Sequence, residues 1–547
     1  MELLDVVDFH LAETSVTATE RARRGVRVRD VGSWHGPAVL AIILLLAASL
    51  RFGLADYSLW FDEYASLFFA HQPFTRLWSV WMVRETNPAL FYSILRSWIL
   101  LIGPMGPVLL RVPSIVASLL TIAVVYHGLS RVYGQKAAAF AALLLAVSAQ
   151  QIFYAHQVRG YSFFALAIAV SFFSLTHIVT ANERGERGRI TPWLGYVGGA
   201  VAANYFHGTG FLWLPVATAG LMLADRRYVP LIGRDWLWLV AADVAIVAGS
   251  SWAIYLAYQQ MLVPNPNIAW LERLGILGSI KLFWRSTLLV RAPWPTQSLA
   301  AGVILAAALY GAYRTFDRSA TRLAAACGVV TLAVFFMFSL KQPVLVERTL
   351  VWIAIFPVTL VCAAVSTIRK PVVFGAAGGA MVALVALNLI VSYPQFEVED
   401  WTGGMTRALR SPNSAIIVSG EGEAVITAVA CRWMSSDLAC PVPIVTLPGP
   451  PWNAWATGFG TPTAATPGNR VALPANAQLY FVQRYFENPL GALQTAGLLT
   501  SLAPDPRFLI GPFGPPAVAE LQRGTCVRDG LLRTSCPKVL ATRPPVR

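Results

Sequence analysis

Apolar runs long enough to cross a lipid bilayer recur along this chain from Pro37 to Ser392. A helix needs about 20 apolar residues to span roughly 30 Å of hydrocarbon. Hydrophobic residues make up 56% of the chain and charged residues only 13%, whereas ordinary soluble domains carry about 25% charged residues. The sequence therefore predicts an all-α polytopic membrane protein and excludes a soluble globule as the main body of the chain.

Eleven membrane spans are predicted from these runs. They lie near residues 37–54, 107–128, 137–153, 161–180, 192–206, 208–223, 236–257, 298–314, 323–340, 350–368 and 371–392. The preceding segment, residues 1–36, is polar and rich in arginine, which is typical of a cytoplasmic N-terminal tail rather than of a signal peptide.

The loops between the predicted spans set the topology. With the tail inside the cell, the arginine-dense loops all fall on the cytoplasmic side, as the positive-inside rule requires. Counting 87–103 as another span would invert every later loop, and that segment is short and carries Arg96 at mid-length. We therefore expect it at the outer interface, within a first external loop of residues 55–106. The net charge of +14 then reflects topology and contact with membrane lipids, and nucleic acid is not an expected partner.

The composition changes after residue 393. Residues 394–547 are rich in Pro and Gly, with short apolar strands such as Ala415–Val418 and Leu479–Val482 between helical patterns. This predicts a C-terminal α/β domain, which the topology places in the periplasm, after a transmembrane domain of residues 37–393. An oxidising periplasm would allow four cysteines of the C-terminal domain to close as two disulfides, Cys431–Cys440 and Cys526–Cys536.

Two acidic sites lie in the first external loop. Trp60-Phe61-Asp62-Glu63-Tyr64 begins a few residues after the first span, and Arg84-Glu85-Thr86-Asn87-Pro88 follows it. Carboxylates at a membrane surface have no ready partner there, and removing them from water is costly. Their presence in so apolar a protein suggests chemistry at the boundary between water and lipid.

These segments resemble motifs of the membrane glycosyltransferases with the GT-C fold. Asp62-Glu63 resembles the acidic motif of the protein O-mannosyltransferases and of the aminoarabinose transferases that modify lipid A, the glycosyltransferase family 39-like enzymes. The resemblance continues through Glu85–Tyr92, Arg111–Ser114 and Gln157–Tyr161. It covers residues 37–180 well and is weaker from there to residue 392.

The resemblance implies an enzyme that transfers a hexosyl or pentosyl group from a polyprenyl-phosphate donor to an envelope acceptor, which could be a lipid, a glycan or a protein. The reaction would occur at the periplasmic face of a bacterial inner membrane. Two departures from the family pattern would fit a different acceptor: Ala89 in place of a second proline, and Asn87 where many members carry a basic or histidine residue.

The resemblance places the catalytic aspartate of the family at Asp62, which would act as general base toward the acceptor hydroxyl. Glu85 is the second catalytic candidate, either binding the acceptor or sharing a divalent cation with Asp62. Such a cation, Mg²⁺ or Mn²⁺, is not demanded by the spacing. The candidate substrate-binding residues lie beside the acidic motif or at external span ends: Glu63, Arg159, Tyr161, Lys341 and Arg348.

The acidic candidates have structural alternatives. Asp62 could cap a helix or pair with a nearby arginine. Its neighbour Glu63 would point elsewhere on a helix, so a role in orientation or structure suits it better than one in chemistry. Glu85 could form a solvated interfacial pair with Arg84.

The cationic candidates have alternatives too. Arg159 could anchor a span end, and Lys341 and Arg348 could be ordinary loop charges, with Arg348 pairing its neighbouring glutamate. His156 and His207, also at external span ends, are more typical of packing or acceptor-contact residues than of metal ligands, because no second ligand follows at a fixed spacing.

A polytopic transporter or flippase for a lipid-linked envelope precursor is the alternative function. It would need polar residues along a pathway through the spans, and the candidates, Asp243, Asn204 and Asn388, are scattered. A structural assembly factor for envelope polymers is a third hypothesis, and it would tolerate substitution of Asp62. The acidic residues crowded on one face favour the enzyme.

Overall fold

The structure is a computed structural model of the 547-residue chain. It describes residues 35–103, 106–186, 190–262, 271, 273–290, 292, 295–341, 343–396, 399–411, 414–419, 421–435, 440–447, 478–482, 528–529 and 531–532. The chain divides between Ile42 and Ile43 into two units, and the candidate site lies wholly in the second.

Helices dominate the described part of the chain up to residue 396. In chain order they are α1 (His35–Gly53), α2 (Phe61–Ala70), α3 (Phe74–Leu77), α4 (Ala89–Ile102), α5 (Pro107–Tyr133), α6 (Gln135–Val147), α7 (Ala149–Ala155), α8 (Tyr161–Glu183), α9 (Ile190–Phe206), α10 (Trp213–Ala224), α11 (Trp236–Gly249), α12 (Ser251–Leu262), α13 (Ile276–Arg285), α14 (Thr296–Arg314), α15 (Ser319–Ser339), α16 (Ile355–Ser366) and α17 (Pro371–Ser392). Short 3-10 helices occupy Val80–Arg84, Gly208–Leu212, Arg226–Tyr228, Glu347–Ala354 and Tyr393–Gln395.

The polytopic membrane fold predicted from the sequence is confirmed, but the number of spans differs. Within the described residues, seven helices are long and apolar enough to cross a membrane, or nine if the bent pairs α6–α7 (58°) and α11–α12 (63°) are each one span. The other two predicted spans are helical, at Ile190–Phe206 and Gly208–Ala224, but shorter than the roughly 20 residues that cross a bilayer. The chain breaks between them at His207, so neither segment reaches full length.

A buried arginine stabilises the bend between α6 and α7. Helix α6 ends at Val147, which leaves the carbonyl groups of its last turn without partners inside the helix. Arg51 of α1 is fully buried and donates to two of them, Leu145 O (3.3 Å) and Ala146 O (3.1 Å). Ser148 then begins α7 by accepting a hydrogen bond from the backbone N–H of Gln151 (3.3 Å). Two carbonyl groups at the bend thus have hydrogen-bond partners within the protein.

The chain after residue 400 is α/β, as predicted. Helix α18 (Trp401–Arg410) precedes strand β1 (Ser414–Ser419), and helix α19 (Glu421–Met434) connects it to β2 (Ile444–Leu447). Strand β3 (Gln478–Val482) completes a parallel sheet with the order β2-β1-β3, in which Ile416 aligns with Ile444 and Tyr480. Parallel neighbours need such a crossover helix. A separate antiparallel pair joins β4 (Arg528–Asp529) to β5 (Leu531–Leu532).

The four described cysteines have two different environments. Cys431 and Cys440 are joined as a disulfide between the end of α19 and the segment that precedes β2. Cys327 and Cys362 are buried free thiols within α15 and α16. The predicted partners Cys526 and Cys536 lie outside the described residues.

Candidate active site

Helix α2 carries Asp62 in its first turn. The backbone N–H groups at a helix start have no partners within the helix, and carboxylates satisfy two of them here. Trp60 N donates to Glu63 Oε2 (3.2 Å), and Phe61 N donates to Glu399 Oε2 (2.9 Å). Negative charge at a helix N-terminus also interacts favourably with the helix dipole. These contacts fix the start of the helix and therefore the position of Asp62.

Glu63 forms a buried ion pair with Arg111 of α5. Arg111 Nη2 lies 2.9 Å from Glu63 Oε2 and Arg111 Nε lies 3.2 Å from Oε1, and both side chains are fully buried. Oε1 also accepts the backbone N–H of Val158 (2.9 Å). The substrate-binding role predicted for Glu63 does not fit these surroundings, because both oxygens are occupied and shielded from solvent. The structural role weighed beside it fits.

The loop that contains Arg159 is bonded to the acidic motif. The indole N–H of Trp60 donates to the side-chain carbonyl of Gln157, and the next residue, Val158, is bonded to Glu63. Both contacts join segments that are more than ninety residues apart. The two segments that resemble family motifs therefore form one side of a single site.

Asp62 lies between two arginines. Arg348 Nη1 is 3.1 Å from Asp62 Oδ2, and Arg159 Nη2 is 4.0 Å from the same oxygen. The Asp62 side chain is 20% exposed and that of Arg348 is 31% exposed, so the cluster is open to solvent. Among the described residues, Asp62 Oδ1 has no hydrogen-bond partner. The arginine pairing weighed as an alternative is therefore present, and it occupies only one of the two carboxylate oxygens.

Arg159 connects Asp62 to the second acidic site. It donates to the hydroxyl groups of Tyr92 (3.2 Å) and Ser66 (3.4 Å) and to the backbone carbonyl of Asp62 (3.4 Å). Burial alone would lower the pKa of its guanidinium, but Tyr92, Asp62 and other neighbours raise the pKa well above its usual value. Arg159 is therefore a permanent buried cation facing the site.

Glu85 is the last residue in this series of hydrogen bonds. Its Oε1 accepts from the Tyr92 hydroxyl (2.9 Å), from Asn87 N (3.0 Å) and from Asn87 Nδ2 (2.7 Å). The carboxylate is mostly buried. In the described part of the chain, its other oxygen has no protein partner. Asn87, the departure from the family pattern, thus orients Glu85 and leaves Oε2 available.

The two remaining candidate substrate-binding residues, Tyr161 and Lys341, lie in different places. Tyr161 is buried at the start of α8, where its ring lies 5.3 Å from Tyr154 and 5.7 Å from His207. Lys341 is exposed after α15, and no contact joins its side chain to the Asp62 cluster within the described residues. Tyr161 and Asp62 are both among the neighbours that interact electrostatically with Arg348. The structure therefore brings Tyr161 to the site and leaves Lys341 apart from it.

Two residues, His207 and Glu399, are more closely involved in the site than the sequence predicted. His207 was weighed only as a packing or acceptor-contact residue, although it lies beside Tyr161. Glu399 was not singled out, yet it holds the first residue of the helix that carries Asp62. The sequence signal for Glu399 was its place in an acidic run directly after the last predicted span.

The donor atoms around Asp62 do not favour a divalent cation. Asp62 Oδ2 faces two guanidinium groups, and a metal ion there would be repelled by both. No group of three or more His, Cys, Asp or Glu side chains that could hold a metal ion occurs in the described ranges. The Mg²⁺ or Mn²⁺ considered from the sequence therefore does not fit the Asp62 oxygen that the arginines occupy.

No family model and no curated protein matches this sequence. The structure is similar to ArnT from Cupriavidus metallidurans bound to undecaprenyl phosphate, with a TM-score of 0.51 and 13% identity over 78% of this chain and 88% of ArnT. The apo state of the same protein aligns with a TM-score of 0.51 and 13% identity over 76% of this chain and 87% of that one.

The oligosaccharyltransferase of Archaeoglobus fulgidus in complex with Zn and sulfate aligns less closely, with a TM-score of 0.47 and 13% identity over 72% of this chain and 61% of that chain. At sequence identities this low, the structural similarity shows a shared fold and nothing more. The chain has the polytopic GT-C fold that ArnT has, as its acidic motifs predicted.

Proposed function

We propose that this protein is a membrane glycosyltransferase that moves one sugar from a polyprenyl-phosphate donor to an envelope acceptor. The observation that carries the proposal is the cluster of Asp62 with Arg159 and Arg348 on a GT-C fold. ArnT was solved bound to undecaprenyl phosphate, which supports a donor of that class. The topology predicted from the sequence would put the reaction at the periplasmic face of a bacterial inner membrane.

The proposed reaction is a direct displacement with inversion at the sugar. Asp62 takes the proton of an acceptor hydroxyl, and the acceptor oxygen forms a bond to the anomeric carbon. The bond from that carbon to the phosphate oxygen breaks, and its electron pair leaves with the polyprenyl phosphate. Positioned general bases and fixed positive charges at the leaving oxygen are standard sources of rate enhancement.

Arg159 and Arg348 would bind the phosphate beside Asp62. A guanidinium presents its N–H donors in a planar fork that matches phosphate oxygens, and both guanidinium groups face the same Asp62 oxygen. Two arginines match the charge that grows on the phosphate as the bond to the sugar breaks. Tyr161 would line the same pocket, and Glu85 Oε2 would bind the acceptor.

The polar residues that the transporter hypothesis needs are engaged with neighbours at separate places. Asp243 accepts from Tyr196 (2.9 Å) and Thr218 (2.8 Å), and Asn204 donates to Ser250 (2.8 Å). Asn388 is likewise bonded to the backbone of Val290. These contacts give no support to transport as the function.

Mass spectrometry of envelope lipids and glycans tests the proposal. A strain that lacks this protein should lose one sugar from one envelope component and accumulate the lipid-linked donor. Restoring the wild-type gene should restore the sugar. An unchanged set of lipids, glycans and glycosylated proteins would refute the proposed transfer.

A further inference from the structure

His207 is held between the two loops that form the site. It joins helix α9 to the 3-10 helix Gly208–Leu212. The backbone at Gly208 approaches the Thr86 carbonyl so closely that an added Cβ would lie 2.8 Å from that oxygen, and an added Cβ at Gly160 would lie 2.8 Å from Phe206 O. Both approaches are too close for any residue with a side chain. The position of His207 is therefore fixed relative to the Glu85 and Arg159 loops.

The hydrogen bonds of the ring determine its tautomer. A backbone N–H can only donate, so the hydrogen bond from Thr209 N to His207 Nδ1 (3.1 Å) requires an Nδ1 without a proton, which then also accepts from the Thr209 hydroxyl (2.9 Å). In a neutral imidazole the other nitrogen is then the donor. Within the described residues, Nε2 has no protein partner. The ring also stacks on Phe164, with centroids 5.1 Å apart and planes 12° apart, which holds its orientation.

The charges nearby keep the ring neutral. Burial and the positive charges of Arg348 and Arg159 lower the pKa of His207 to about 3. Only 8% of the residue is exposed. The site therefore has a neutral, oriented N–H donor close to two arginines, a combination that suits a phosphate group, which offers several acceptor oxygens.

We propose that His207 Nε2–H donates a hydrogen bond to a phosphate oxygen of the lipid-linked donor, beside Arg159 and Arg348. This inference rests on the proposed function and adds a third phosphate-binding residue. A neutral donor adds binding without adding charge, so it should contribute to phosphate affinity while leaving the Asp62–Arg348 pair intact. His207 thus acts as a substrate-binding residue and not as an acid or base.

Two isosteric substitutions separate the two ring nitrogens. A glutamine amide can reach the position of Nε2, whereas an asparagine amide can replace only Nδ1. The probe is undecaprenyl phosphate in detergent, titrated into purified full-length protein, with melting temperature measured for each variant. We expect His207→Asn and His207→Ala to weaken binding by about tenfold or more, as for a lost hydrogen bond to a charged group, and His207→Gln to retain most of the affinity.

Other results would overturn the inference. Wild-type affinity in all three variants would show that Nε2 binds no phosphate. Full affinity in His207→Asn with loss in His207→Gln would assign the effect to the Thr209 contact. Equal losses of affinity in His207→Asn and His207→Gln would show that His207 contributes only packing.

A competition experiment distinguishes binding of the phosphate group from binding of the lipid chain. Inorganic phosphate that competes with undecaprenyl phosphate in the wild type, and competes less well in His207→Asn, would locate the effect at the phosphate group. Competition that is identical in both proteins would contradict it. Failure of the wild type to bind undecaprenyl phosphate at all would refute the proposed function itself, and the inference with it.

Discussion

Arg348 donates a hydrogen bond of 3.1 Å to Asp62 Oδ2 across 286 residues of sequence. The contact joins the 3-10 helix Glu347–Ala354 to the first turn of α2. It places a cation directly beside the proposed base. Arg159 approaches the same oxygen from the loop before α8. Substitutions of the arginines and of Asp62 should therefore distinguish effects on donor binding from effects on the rate of sugar transfer.

Replacing Arg159 or Arg348 by alanine should raise the apparent donor KM more than it lowers the maximal rate. The guanidinium binds phosphate through two N–H groups at once, so lysine should rescue each variant only in part. Initial rates over a range of donor concentrations measure both quantities. Lys341→Ala is the comparison, since its exposed side chain does not contact the cluster within the described residues, and it should resemble wild type. Unchanged donor KM in both arginine variants would assign the arginines to anchoring.

Breaking the Glu63–Arg111 pair should destabilise the protein. Removing one partner of a buried ion pair leaves an unpaired charge and costs about 3–5 kcal/mol. Glu63→Ala should therefore lower the melting temperature in detergent well below that of wild type. Glu63→Gln keeps the shape and part of the hydrogen bonding, and should fall between the two. A Glu63→Gln variant with wild-type stability but no turnover would instead indicate a direct role in the reaction.

Glu399 should act as a positioning residue. Its Oε2 accepts from Phe61 N (2.9 Å) and Trp401 Nε1 (2.6 Å), which connects the chain after the last span to the helix carrying Asp62. Glu399→Ala should lower kcat by about tenfold to a hundredfold, as small displacements of catalytic groups do, with little change in donor KM. Glu399→Gln, which keeps an acceptor oxygen, should recover most of the rate. Equal kcat values in all three proteins would exclude this role.

Deleting Pro394–Arg547 removes Glu399 with the whole C-terminal segment. The spans should still insert, because their apolar runs all lie before residue 394, but transfer to the native acceptor should fall. Membrane fractionation checks insertion, and the envelope assay checks transfer. Full activity of the truncated protein would show that the segment neither holds Asp62 nor contributes to acceptor choice.

Chelation should leave most of the activity in place. Two arginines face Asp62 Oδ2, and their positive charges would repel a cation bound at this carboxylate. Purified enzyme assayed with and without EDTA measures the effect. Loss of turnover that Mg²⁺ or Mn²⁺ restores would show that the arginines move aside for a metal ion.

The sequence predicted the local parts of this site and missed the connections between them. Asp62, Glu85 and Arg159 each lie in a short contiguous motif, which can be recognised in the sequence alone. The contacts Arg348–Asp62 and Glu399–Phe61 join positions hundreds of residues apart, and no periodicity in a single sequence encodes them. The eleven predicted spans outnumber the seven to nine long apolar helices of the described residues because the two helical segments on either side of His207, Ile190–Phe206 and Gly208–Ala224, are short.

The rate of sugar transfer by Asp62→Asn tests the central claim most directly. The assay uses the donor and acceptor identified from the envelope, and Asp56→Asn, an exposed carboxylate in the same loop, is the matched control. Loss of a positioned general base costs about two to four orders of magnitude in rate. We expect that loss in Asp62→Asn, with normal folding and retained binding of undecaprenyl phosphate, and wild-type rates in Asp56→Asn. Near-normal turnover in Asp62→Asn would contradict the mechanism.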